Sequence, residues 1–215
     1  YRYLRILDPT NAAPAAKAAS KAIDLEGRAD DAYVTLGVLE EKRGDYDAAL
    51  PFFLKAIGIN PRNAEAHRWA ANIYRHRGSD LLNEYRMWKG AFDAAPVDSF
   101  YREAFASFLA DRFGDYPQAL DLVQQALQQK PQNKNLLWRS ANLNQLLGRH
   151  EQAIHLYREI RVLQRRSPDA LDAIGHSFTF LERLDEASAS FQTAVAMSPF
   201  RPQSHGGLGA VYARQ

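Results

Sequence analysis

The sequence predicts an all-α array of repeated helix pairs, and three observations carry the prediction. Small and large residues recur with a period of about 34 residues, the length of a helix–turn–helix solenoid repeat. Glycines recur where a first helix must stop, at Gly44, Gly78, Gly114 and Gly148. A proline then closes each period, at Pro61, Pro96, Pro131, Pro168 and Pro199. Apolar residues do not alternate strictly, so strands are not expected.

Taken in order, unit 30–63 carries Tyr33, Leu36 and Gly37 on its first helix and Ala49, Phe53 and Ala56 on its second. Unit 64–99 has His67, Ala70, Ala71 and Tyr74, then Trp88 and Ala91, with one residue inserted between the helices. Unit 100–133 offers Ala106, Ser107, Ala110, Ala119, Val123 and Ala126. Unit 134–167 has Leu137, Ala141, Ala153, Tyr157 and Ile160, followed by a longer turn to Pro168. Unit 168–201 gives Leu171, Gly175, Phe178, Ala187, Phe191 and Ala194. Segment 202–215, with Leu208, Gly209 and Tyr212, reads as the first helix of a truncated unit.

The beginning is less regular. Tyr1–Pro9 reads as the end of a second helix, and Ala15–Glu26 as another second helix, so 1–29 is about 14 residues short of holding a full unit between them. Either that unit is degenerate or residues are missing near 12–15; the second reading is preferred. Both ends then imply a piece of a longer array or multidomain protein, since terminal repeats normally carry polar caps.

The small residues have a steric purpose. Gly or Ala at the eighth, twentieth and twenty-seventh positions lets neighbouring helices approach, while large residues near the fourth, seventh, eleventh and twenty-fourth fill the gaps. Glycine at the first helix's end suits a left-handed cap, and proline cannot continue a helix but is tolerated at the next start. Glu40, Ala110 and Asn144 depart from the large eleventh residue, and Glu182 stands where the turn glycine should. With these residues the chain from Asp30 onward resembles the tetratricopeptide repeat family. The resemblance implies a right-handed superhelical solenoid of antiparallel helix pairs, a concave groove lined by first helices, and a scaffold that binds a protein or peptide.

Composition removes other classes. A net charge of +2 gives little reason for nucleic acid or anionic membrane as a partner. No stretch approaches the roughly 20 apolar residues of a membrane helix. Without cysteine there are no disulfides, thiolate metal sites or cysteine nucleophiles. That absence does not separate cytoplasm from periplasm, the first being preferred. Glu151 and His155 share a helix face but lack the further ligands of a metal site. His205-Gly206-Gly207-Leu208-Gly209 follows no strand, as a phosphate or oxyanion loop would. Arg161, Arg165 and Arg166 suit a helix C-terminus. No catalytic residue, metal ligand or cofactor site is assigned.

The groove positions of the resembled family are the second, fifth, sixth, ninth, twelfth and thirteenth of each first helix. They nominate Arg68, Asn72, Arg75, Tyr101, Phe108, Asn135, Trp138, Arg139, Asn142 and His176 as partner-binding residues. Arg and aromatic residues dominate interface energetics, and an Asn amide both donates to and accepts from a peptide backbone. Arg68 with Asn72 and Asn135 with Arg139 partly match a carboxylate clamp known in some members, whose second Asn is replaced here by Phe105. The reading is therefore a non-catalytic scaffold gripping an extended peptide or helix. Its alternatives are the regulatory or assembly segment of a larger protein, such as a glycosyltransferase, sulfotransferase or polysaccharide-export component, and self-association through uncapped ends.

Overall fold

A computed structural model describes residues 12–26, 29–78 and 80–215. The described residues form helices without strands: α1 (Ala12–Glu26), α2 (Asp30–Lys42), α3 (Tyr46–Ile59), α4 (Ala64–Arg77), α5 (Leu81–Ala94) and α6 (Ser99–Phe108). A π turn, Leu109–Phe113, follows, then α7 (Tyr116–Gln129), α8 (Lys134–Leu146) and α9 (His150–Leu163). The chain ends in α10 (Pro168–Phe180), α11 (Leu184–Met197) and α12 (Pro202–Tyr212). The helix end expected over Tyr1–Pro9 lies outside the described residues. α1 runs through 12–15, starting ahead of the expected Ala15 because Pro14 falls in its first turn, where a missing N–H is harmless.

The local signals act as elementary chemistry requires. Asp45, Asn63, Asp80, Asp115, Asn133 and Ser167 each accept a backbone N–H of the following first turn, so six helix starts have side-chain caps. Gly44, Gly78, Gly114 and Gly148 all have positive φ, as left-handed caps demand. Glu182, the departure from that pattern, adopts φ 58° all the same. Its carboxylate pairs with Arg214.

The chain divides into two compact units, Tyr1–Phe105 and Ala106–Gln215, with α6 passing from one to the other. In the N-terminal unit Val34, Val38, Phe53, Ala66, Ala70 and Ile73 share a core. Gly37 lets α2 meet α3 there: a Cβ on it would stand 2.7 Å from Phe53 Cε1. In the C-terminal unit Leu137, Ala153, Tyr157, Ile174, Phe178, Phe191 and Val211 form the core.

One part of the sequence register is corrected. α6 begins at Ser99, and counting from there aligns its burial with every other first helix. Third positions Ala32, Ala66, Tyr101, Leu136, Ala170 and Ser204 are all buried, as are tenth positions Leu39, Ile73, Phe108, Leu143, Ser177 and Val211. The fourth positions His67, Arg102 and His205 share a further device. Each side chain reaches the carbonyl of the proline six residues earlier, Pro61, Pro96 and Pro199 respectively. Counting from Phe100 hides a residue, because the extra one is absorbed inside the helix by the π turn that Gly114 caps.

Candidate functional site

Within the C-terminal unit, α8 and α10 face a shared cleft of 920 Å³. Its walls come from groove positions of the repeat: Trp138, Asn142, Gln145 and Leu146 on α8, and Asp169, Asp172, His176 and Phe180 on α10. Tyr157 of α9 forms the floor, fully buried, with its ring 5.2 Å from that of Trp138. Three nominated residues, Trp138, Asn142 and His176, therefore meet in one place.

A hydrogen-bond network sets the floor's polarity. Tyr157 Oη lies 2.6 Å from Asn142 Oδ1 and 2.7 Å from Gln145 Oε1, one proton facing two acceptors. Gln145 Nε2 donates to the Ala173 carbonyl at 3.1 Å and to Ser177 Oγ at 2.7 Å, which fixes its amide. Tyr157 then donates to Gln145. Asn142 Oδ1 accepts from the same hydroxyl, which leaves the Asn142 Nδ2 amide group for the cleft. Burial pushes the Tyr157 phenol pKa up, so the hydroxyl stays a donor. Asn142 is thus an exposed amide donor whose orientation is set by Tyr157.

The rim is aromatic and charged. Phe180, 72% exposed, stacks on His150 with ring centroids 4.8 Å apart and planes 6° from parallel. The His176 ring stands edge-on to Phe191 at 5.1 Å. Arg201, from the turn before α12, bonds Asp172 at 2.6 Å and also Asp169. Ser204 donates to the other oxygen of Asp172 at 2.7 Å.

The remaining nominated residues lie elsewhere. Asn135 is exposed at the start of α8, and Arg139 stands 3.8 Å from Asp111; neither lines the cleft. In the N-terminal unit Arg68 is held by Glu65, at 3.0 Å from Nε and 2.6 Å from Nη2, and lies 4.2 Å over Trp69. Tyr101 donates to the same Glu65 at 3.0 Å. Asn72 is half-buried on α4. Arg75 reaches Glu84 of α5 at 3.1 Å, so it braces its own helix pair. Tyr101 and Phe108 are corrected: both are buried, at 3% and 0% exposure, because they occupy the third and tenth positions of α6. Arg68 with its Glu65 partner does not present a bare guanidinium.

Leu146 and Phe180 were missed although they occupy the thirteenth positions, and that spacing could have found them. Arg201 reaches the cleft from the turn before α12 and His150 from the first residue of α9, and neither had a signal in the repeat. Among the described residues no group of three His, Asp or Glu side chains could hold a metal. Glu151 pairs with Arg183 at 2.7 Å, and the glycine-rich segment is simply part of α12.

Comparison with known proteins agrees with this architecture. Two tetratricopeptide repeat models match, one over 112–175 and the other over 30–63 and 168–201, together more than half of the chain. The human and rat mitochondrial import receptor subunit TOM70 is 33% identical over 67 residues, which is 31% of this chain and 11% of the receptor. The chain thus matches about a tenth of the length of these curated relatives. Among solved structures, YrrB, described as a TPR protein with an unusual peptide-binding site, superposes with a TM-score of 0.77 at 18% identity. That match covers 89% of this chain and 97% of YrrB. A tetratricopeptide repeat protein from Parabacteroides merdae gives 0.73 at 17% identity, covering 85% and 72% of the two chains. MamA gives 0.70 at 18%, covering 80% and 93%. At these identities the likeness is one of fold.

Proposed function

Because the chain belongs to the tetratricopeptide repeat family, a family of protein-interaction scaffolds whose fold is generally non-catalytic, we propose that its C-terminal unit binds an extended peptide in the α8–α10 cleft. The observation that carries the proposal is the Asn142 amide, oriented by its bond to Tyr157, in a cleft lined also by Trp138 and Phe180. An extended peptide presents backbone carbonyl groups to such a donor and side chains to the rings of the same cleft. The peptide-binding site described for YrrB, which shares the fold, adds support.

The N-terminal unit is a weaker candidate, since Arg68 and Arg75 already have carboxylate partners. A test starts from random peptides displayed on phage and selected on the whole chain. The affinity of an enriched peptide is then measured by calorimetry against Asn142→Ala. Losing one net hydrogen bond, about 1 kcal/mol, weakens binding roughly fivefold. Unchanged affinity in both Asn142→Ala and Trp138→Ala would put the peptide outside the cleft and end the proposal.

A further inference from the structure

The cleft's charges and rings point to the class of peptide it takes; this inference rests on the peptide-binding reading above. Three lining side chains carry fixed charge: Asp169, Asp172 and Arg201. Asp172 is 4% exposed and fully engaged, one oxygen bonded by Arg201 and the other by Ser204. Asp169 is different. Its side chain is 61% exposed, and its contact with Arg201 leaves most of a carboxylate's acceptor capacity toward solvent. Two carboxylates against one guanidinium make the mouth net negative.

Arg183 is paired with both Glu186 and Glu151, and Arg214 with Glu182. The one lining cation of fixed charge, Arg201, already carries both carboxylates, and like charge at such a mouth works against the wrong partner. The apolar share is equally specific. Phe180 is 72% and Leu146 59% exposed, large side chains left open to water on the two facing helices. Exposed apolar surface gathered in a cleft and flanked by polar groups is the form of an anchor pocket.

We propose that the cleft accepts an extended segment in which a bulky apolar residue packs on Phe180 and Leu146 while a Lys or Arg within two residues of it meets Asp169. Acidic segments and free C-terminal carboxylates are disfavoured. The partner is thus a basic-apolar peptide, the opposite charge class from the one a carboxylate clamp would select.

The test uses the whole chain at pH 8, where histidine side chains ordinarily carry no charge. Random twelve-residue peptides displayed on phage are selected on the wild type and, separately, on Asp169→Lys. Wild-type selection is expected to enrich Lys or Arg beside a bulky apolar residue, and Asp169→Lys to lose that bias. An enriched synthetic peptide is expected to bind Asp169→Lys about fivefold more weakly, the upper range for an exposed pair. An unchanged melting temperature shows that the variant is folded. Enrichment of Asp or Glu beside the apolar residue, or the same basic bias from Asp169→Lys, overturns the charge assignment. The cleft reading survives that result so long as Asn142→Ala still weakens binding. Enriched peptides indifferent to both Asn142→Ala and Phe180→Ala, or no enrichment at all, overturn the cleft reading and this inference with it.

Discussion

Gly206 and Gly207 are neighbours in α12, and replacing each by Ala is expected to move stability in opposite directions. A Cβ on Gly207 would stand 2.3 Å from Phe191 Cε1 and 2.5 Å from its Cζ. The ring has nowhere to retreat. It is fully buried, and on Gly175 of α10 a Cβ would come within 2.7 Å of the same Cζ. Forcing a methyl group into so tight a contact costs about 1–3 kcal/mol. Exchanging Gly for Ala inside a helix returns up to about 1 kcal/mol, so Gly207→Ala should still be a net loss, of up to about 2 kcal/mol. At Gly206 nothing lies within 4 Å of the new Cβ, and only the helix term remains, a gain of about 0.5–1 kcal/mol. Urea denaturation followed by far-ultraviolet circular dichroism measures both. Phe191→Leu supplies the internal control: in that background the penalty of Gly207→Ala should shrink, giving a non-zero coupling energy. If Gly207→Ala stabilises as much as Gly206→Ala, then α12 does not rest on Phe191 and the packing argument is wrong.

Two further stability predictions follow from the backbone and from burial. Glu182→Gly removes a non-glycine residue from φ 58°, relieving about 1 kcal/mol against the loss of an exposed ion pair with Arg214, so its urea midpoint should rise slightly. Gly148→Ala, at φ 72° in the equivalent turn, should lose about 1 kcal/mol in the same assay, and equal signs for the two variants would contradict the left-handed assignment. Burial pushes the His67 imidazole pKa below its ordinary value, more than its bond to the Pro61 carbonyl raises it. The unfolded chain then binds the extra proton first, so stability is full above about pH 6.5 and falls as the pH drops through the lowered value. His67→Gln should flatten that part of the profile, and an unchanged acid slope would clear His67 of the effect.

The fold was legible where the physics is one of contact distance. Gly37 against Phe53 and Gly175 against Phe191 admit no Cβ, so the positions announce themselves as small residues opposite large ones. The turn glycines were equally plain because few other residues tolerate positive φ, and Glu182 stood out as the exception it is. The register of α6 was not legible. A residue added inside a helix changes only the spacing to the next landmark, and the sequence does not say whether a turn or a π turn takes it up. That single step carried Tyr101 and Phe108 onto groove positions, although they are core. Part of the cleft was legible for the same reason as the fold, since Trp138, Asn142 and His176 follow the repeat. Arg201 was not, because it comes back to Asp172 from the turn before α12, 29 residues away along the chain.

The central claim, that the α8–α10 cleft of the C-terminal unit receives a peptide, can be read from the chain's three indole groups. Trp69 lies on α4, Trp88 is buried on α5, and Trp138 alone lines the cleft. In a nitrogen-15 labelled sample each gives its own indole N–H resonance, followed while a selected peptide is titrated in. The account predicts that the Trp138 resonance shifts in proportion to saturation while those of Trp69 and Trp88 stay in place. A Trp138 resonance that stays put at saturation, with either of the others moving, would contradict it.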